Sequence, residues 1–433
     1  MTLKVLLFAQ LLYVVDEIHF PIKSGIPGVA PVNVIFLVVL LAMQGKPDPV
    51  KAPAILQKSI YYFYGALTFA FLWAQVRASG DFMADLTYYK NALFFPLFYI
   101  LHLRCKQDEK STRQLLIWVM VIAAVAGLEG LLEGLDYGFG KYNPFRRASG
   151  PFGVDWHNAN RAGVFYGMFM PMFVALALFL KQRKLWRIAA IGGAVVIAGG
   201  AISTYSRQAY FLILLSIVLL LVRKSIILAA IMVVVGVTAV GYLPDSVFQR
   251  VEETKQQGKS GNEEVDVSTA SRFELWAGGM GMLSHNPLGV GLNRFKDEIG
   301  NYSGYKHMDA HNFYVLTLAE CGPQGLATLL FLIWTLFRLA NFLRANAPPD
   351  DPEAKALTIG FTVSTLCMAL GGIYGSPTLE GNVMALYWAM CGLLERYIRL
   401  KMQNGETKIE VDREPSLVER FPLAAYIRPN QQK

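Results

Sequence analysis

Apolar runs of about 20 residues, each long enough to cross a hydrocarbon core of roughly 30 Å, recur along almost the whole of this 433-residue chain. They predict about twelve spans: 3–20, 29–44, 54–75, 91–103, 114–132, 162–180, 188–205, 208–222, 225–243, 323–343, 356–376 and 380–399. The fourth and eighth are short, so either can be a hairpin or a tilted segment. Composition agrees, since 54% of residues are hydrophobic and only 17% charged, whereas a soluble chain of this size needs a charged surface. The N-terminal run carries Asp16, Glu17 and Pro21 behind it and no small-x-small cleavage site, so it reads as the first membrane helix rather than a signal. The four cysteines (Cys105, Cys321, Cys367 and Cys391) show neither C-x-x-C spacing nor clustering, and no disulfide or zinc site is expected of them.

The connections between spans alternate in character. Those after even-numbered spans are short and basic: Lys46 and Lys51; Arg104, Lys106, Lys110 and Arg113; Lys181, Arg183, Lys184 and Arg187; Arg223 and Lys224; Arg344; then Arg396, Arg399 and Lys401. By the positive-inside rule these face the cytoplasm, and so do both termini. Much of the net charge of +8 is thereby a topology signal, and no nucleic-acid partner is expected. Odd-numbered connections carry mixed charge, histidine, aromatics and glycine, which places function on the outer face.

This alternation divides the chain into 1–243, nine spans with their outer loops; 244–322, a long outer segment; 323–399, three more spans; and 400–433, a cytoplasmic tail. Within the long segment, 252–268 is polar and aperiodic and reads as a loop. Ser271 and Glu274 have the spacing of a capping box opening a helix. Phe273, Trp276, Ala277, Met280 and Leu283 then fall on one helical face, as in an amphipathic helix lying at the membrane interface, and Asn286-Pro287 ends it. Gly289-x-Gly291 forms a turn. A short helix begins near His311-Asn312, and Gly322-Pro323 breaks it at the start of the tenth span.

Residues 271–325 concentrate three of the six histidines with Arg272, Arg294, Glu274 and Glu320, and such groups in a membrane protein are usually functional. A first-turn Arg272 would add its guanidinium to a helix N-terminus and suit an anion; a snorkelling arginine among headgroups is the plainer alternative. Arg207, in the outer turn between two spans, and Arg146, Arg147 and Arg161, beside Trp156 and His157, can share an anion site or simply meet lipid phosphate. His307, Asp309 and His311 form H-x-D-x-H, which on a helix would put both histidines on one face, although no third strong ligand follows. His311 alone is the better candidate for a general base, because a neutral imidazole accepts a proton near neutral pH. Trp156, Tyr142, Tyr302 and Tyr305 can stack on sugar rings or form an interfacial aromatic belt. Neither a P-loop nor an outer D-x-D for a metal-bound nucleotide sugar is present.

Four features, in order, resemble the bacterial O-antigen ligases and O-antigen polymerases: the loop from Arg147 through Phe152 to Asn160 and Ala162; the Ser206-Arg207 turn; Arg272 and Trp276 followed by N-P-L-G-x-G-x-x-x-F from Asn286 to Phe295; and His311-Asn312 with Glu320, Gly322 and Gly325. The resemblance implies an all-α polytopic membrane protein of the C-type glycosyltransferase kind. About 12 transmembrane helices would surround one long periplasmic segment carrying short amphipathic helices. It implies a bacterial inner-membrane enzyme, working without metal or other cofactor on its periplasmic face. Such an enzyme moves a glycan from undecaprenyl diphosphate to an acceptor hydroxyl: the lipid A–core oligosaccharide for a ligase, a growing glycan for a polymerase. Carried over, His311 is the base, Arg207 and Arg272 meet the diphosphate, and Arg147, Arg161, Asn312, Arg294 and Trp276 contact substrate. His307 and Asp309 fall outside the matched pattern. Chain chemistry agrees independently: a departing diphosphate needs fixed cations or a metal, and convergent arginines can serve. The expected activity is the ligase type, with the polymerase as its alternative. A small-anion transporter should place ionisable residues mid-span, whereas Asp16, Glu17, Arg207 and Arg272 fall near outer boundaries.

Overall fold

A computed structural model describes residues 2–17, 30–77, 80–138, 142–153, 158–180, 183–239, 255–257, 263–265, 267–375 and 381–412. These residues are overwhelmingly helical. The helices are α1 (Leu3–Val15), α2 (Pro31–Ala42), α3 (Gln57–Arg77), α4 (Phe82–Phe94), α5 (Leu97–Leu103), α6 (Glu109–Tyr137), α7 (Ala159–Phe179), α8 (Lys184–Ser203), α9 (Arg207–Lys224), α10 (Ile226–Ala239), α11 (Val267–His285), α12 (Phe295–Glu298), α13 (Phe313–Asn346), α14 (Pro352–Gly371) and α15 (Gly381–Asp412). Within the stretch expected to be a loop, β1 (Lys255–Gln257) pairs antiparallel with β2 (Glu263–Val265), Gln256 opposite Glu264.

Five of the described helices, α6, α7, α8, α13 and α14, are long and apolar enough to cross a membrane. The described part of each expected span is mostly helical, but α2, α5 and α10 have only 12, 7 and 14 residues, short of the roughly 20 that a bilayer core requires. The fourth expected span is divided: Pro96, which has no N–H to continue the ladder, separates α4 from α5.

Two helices organise the bundle. α15 is buried on all sides from Val383 to Leu394, with Tyr387 and Trp388 fully enclosed, and packs on α1, α5, α6 and α7. A helix apolar all round is one that neighbours surround. α7 is enclosed by α8, α9 and α14. Small residues allow that approach: a Cβ at Gly163 would lie 2.8 Å from the Ala209 Cβ, and one at Gly167 would lie 2.7 Å from the Leu212 Cβ.

The basic connections meet at one end of this bundle. Arg396, fully buried, bonds Asp48 at 2.9 Å and the Leu103 and Gln107 carbonyls at 2.7–3.0 Å. Glu353 takes Arg113 at 2.5 Å and Arg183 at 2.7 Å, while Lys401 reaches both Glu109 and Asp351 at 2.7 Å. Connections after the second, fourth, sixth, tenth and twelfth expected spans are thus tied together by charge. The candidate site, built from residues 271–322 and the turns after α8 and α14, lies away from this end.

Candidate functional site

The long segment builds a small satellite core. Leu275 and Met282 of α11 pack with Val290, Phe295, Ile299, Ala310, Leu316 and Ala319. Phe273 and Met280, on the face that the apolar periodicity marked, are instead 53% and 50% exposed. The helix therefore has two apolar faces: one docks on α13, and the other is left outward, as an interfacial helix requires.

α11 begins at Val267, a turn earlier than the capping box implies. Ser271 and Glu274 lie inside the helix, and Arg272 is not in its first turn. The Glu274 carboxylate accepts the Gly304 N–H at 2.6 Å rather than folding back on its own helix. An anion at Arg272 would therefore depend on the guanidinium and its neighbours, without the helix end. The guanidinium sits 5.7 Å from the centroid of the Tyr374 ring, and the Trp276 ring is 5.9 Å from that same tyrosine. Trp276 Nε1 donates to the Ala310 carbonyl at 2.9 Å, one residue before the histidine.

His311 has a left-handed backbone, φ 48°, a conformation that costs a non-glycine residue about 1–3 kcal/mol and persists only where surroundings enforce it. Those surroundings are visible. Its N–H donates to Asp309 Oδ1 at 2.9 Å, and Asn312 caps α13 by accepting the N–H groups of Tyr314 and Val315 at 2.9 and 3.1 Å. Burial pushes the His311 pKa below its ordinary value, Asp309 raises it, and Arg272 and Lys296 lower it further. The imidazole is thus held neutral beside a cation. Residues 307–311 are irregular rather than helical, so His307, itself exposed, and His311 do not share a helical face. Asp309 lies 3.7 Å from Lys296. Among the described residues no group of three His, Cys, Asp or Glu is placed to hold a metal.

The turn after α14 joins these groups to Arg207. The Gly371 carbonyl accepts from Gln208 Nε2, and the Gly372 carbonyl from the Phe313 N–H, both at 2.7 Å. The residues next to Arg207 and two beyond His311 thus bond successive carbonyls of one turn, whose Tyr374 underlies Arg272. Ser206-Arg207 is a turn as expected, with Tyr205 at φ 48° and Arg207 opening α9. Arg147 is buried and secures this turn, its Nε donating to the Thr204 carbonyl at 2.9 Å and its Nη2 to Asn160 at 2.7 Å. Arg161 is exposed and bonds Asn158 at 2.7 Å. Trp156 and His157 lie outside the described residues, as does the tail beyond Asp412. Tyr142 packs on Tyr205, and Tyr302 and Tyr305 pack on the satellite core.

Arg294 has a structural task. Only 4% exposed, it grips Asp85 of α4 with two bonds, at 2.7 and 2.5 Å, and pins the satellite core to α4. Burial acts to raise the Asp85 pKa, but bonds from Arg294, Asn293 and Gln75 outweigh it and hold the carboxylate ionised. The N-P-L-G-x-G motif is backbone carpentry. Pro323 cannot donate to Ala319, so α13 kinks at Gly322 (φ 71°), and the Ala319 carbonyl accepts the Val290 N–H at 2.8 Å. The Glu320 carbonyl takes the Gly291 N–H at 3.0 Å, and the buried Glu320 carboxylate takes the Phe295 N–H at 3.1 Å. A Cβ on Gly289 would fall 2.4 Å from the Glu320 carbonyl oxygen.

Tyr374 and the Gly371-Gly372 turn are absent from the sequence reading, since 356–376 is apolar enough to pass for uninterrupted span. Two cavities lie at the other end, around Arg113 and Glu353.

This is a helical membrane protein in which a neutral histidine and two arginines gather around one end of the bundle. Residues 192–330 match the family model described as O-antigen ligase, consistent with a member of the O-antigen ligase and polymerase superfamily. The match contains Arg207, Arg272, Trp276, Arg294, His311 and Asn312. It stops short of Arg147 and Arg161. None of the curated proteins compared with the chain matches it.

Proposed function

We propose that the protein transfers a glycan en bloc from undecaprenyl diphosphate to an acceptor hydroxyl, in the manner of an O-antigen ligase. The observation that carries this reading is the pairing of a neutral, conformationally enforced His311 with Arg272 on the turn that also seats the start of α9 at Arg207. His311 takes the acceptor's proton as its oxygen bonds the anomeric carbon. The bond from that carbon to the diphosphate breaks, and the lipid diphosphate leaves with its charge met by Arg207 and Arg272. Arg161, exposed at the same end, extends the basic surface toward donor or acceptor. Trp276 and Asn312 fix the backbone on either side of His311. Arg147 and Arg294 hold the two halves of the site in place.

The topology that accompanies this reading has about twelve spans, both termini in the cytoplasm and the site in the periplasm of a bacterial inner membrane. The boundaries are 1–243, 244–322, 323–399 and 400–433. The acceptor is the lipid A–core oligosaccharide. The glycolipid profile of a deletion strain tests both donor and acceptor: long chains accumulating on undecaprenyl diphosphate are expected, whereas single repeats would assign a polymerase.

A further inference from the structure

Two cavities at the basic end share Arg113 and Glu353 as a common wall. One, of about 150 Å³, is an apolar cleft among α6, α7, α8 and α14, lined by side chains such as Met120, Phe173 and Leu357. Its rim residues Val121 and Trp186 are 41% and 45% exposed, so it opens on the bundle's outer surface. A cleft walled by apolar side chains suits an apolar guest. The other, of about 620 Å³, is lined largely by charged side chains; beside Asp108 and Lys110, whose charges cancel, these form two clusters of opposite sign. At one, the Arg113 and Arg183 guanidiniums share the single Glu353 carboxylate, leaving one positive charge in excess. At the other, the Lys401 ammonium is shared by Glu109 and Asp351, leaving one negative charge in excess.

We propose that this pair of cavities binds a zwitterionic phospholipid with a primary ammonium headgroup, an acyl chain in the cleft, phosphate at Arg113 and Arg183, and ammonium at Glu109 and Asp351. The complementarity selects the headgroup. A phosphatidylcholine ammonium has no N–H to give the carboxylates, and a phosphatidylglycerol headgroup offers them no cation. The site lies at the end of the bundle away from His311, so the inference stands apart from the glycan-transfer reading.

The test uses the full chain in detergent, with its thermal midpoint and native mass spectrum recorded after adding dioleoyl phosphatidylethanolamine, phosphatidylcholine or phosphatidylglycerol. Phosphatidylethanolamine should raise the midpoint by a few degrees and stay bound through a tenfold greater excess of detergent than the other two. Arg183→Gln and Glu109→Gln neutralise the two excess charges at partly exposed positions, and each should abolish the preference. Ala189→Trp, at an exposed position on the cleft, should block the chain while leaving the helical circular dichroism and the lipid-free midpoint unchanged. Equal binding of phosphatidylglycerol, or a preference that survives Arg183→Gln and Glu109→Gln, overturns the proposal. So does the absence of any lipid effect in the unaltered chain.

Discussion

His311 carries the sharpest expectations. Replacing it by alanine should cut glycan transfer by about 10²–10⁴-fold, the usual worth of a general base, with membrane insertion unchanged; surface polysaccharide at normal levels would remove the assignment. Because its pKa is lowered, the acid limb of the rate should fall below pH 6.5. Asp309→Asn removes the neighbour that raises this pKa and should move the limb further down, whereas Arg272→Gln should move it up. Stability has the same sign: between the folded and unfolded pKa values the unfolded chain binds the extra proton, so stability declines as pH falls through that window. At Arg207 and Arg272, lysine should rescue an alanine variant only in part, because a single ammonium cannot make the bidentate contact of guanidinium with diphosphate. Initial rates at varied donor concentration read this directly. His311, the α13 cap Asn312 and both arginines of the proposed site stood out in the sequence as polar groups in an apolar chain. Tyr374 was not, because a tyrosine at the end of an apolar run has no pattern of its own.

At the scale of the element, the N-P-L-G-x-G strip and the α13 kink form one unit, and the Asp85–Arg294 pair fastens it down. Arg294→Met leaves a buried carboxylate unpaired and should cost about 3–5 kcal/mol. Combining it with Asp85→Leu should recover much of that loss, as measured by thermal unfolding in detergent. Gly289→Ala meets both a positive φ and the Glu320 carbonyl oxygen, and should destabilise by at least about 1–3 kcal/mol. The α11 helix shows what periodicity leaves out. Its Phe273–Met280 face was visible as an apolar stripe, yet the face that docks is Leu275, Gly278, Gly279 and Met282, two of them glycines that no hydrophobicity pattern marks. The capping-box spacing did mislead: α11 starts a turn earlier, at Val267, and the Glu274 carboxylate accepts the Gly304 N–H, thirty residues away.

For the whole molecule, alternating charge is the central claim about topology, and it is testable. The four native cysteines are buried, so single cysteines introduced at exposed sites stand out. Lys306→Cys should react with a membrane-impermeant maleimide added outside the inner membrane, and Asp350→Cys should react only after the membrane is opened. The reverse pattern would invert the orientation.

Sequence alone determined that the chain is a helical membrane bundle and that its short basic connections alternate with connections of mixed composition, and it marked the stretch in which we propose the chemistry lies. These are properties of local composition, and the bilayer acts on composition directly. The tertiary structure decided what depends on distant partners. It gave Arg294 to Asp85 and Arg147 to the Thr204 turn, placed Tyr374 under Arg272, and enforced the left-handed His311. The contacts of Arg294, Arg147 and Tyr374 join residues tens to hundreds of positions apart, and only packing, whose energy depends on shape rather than on order along the chain, can select them.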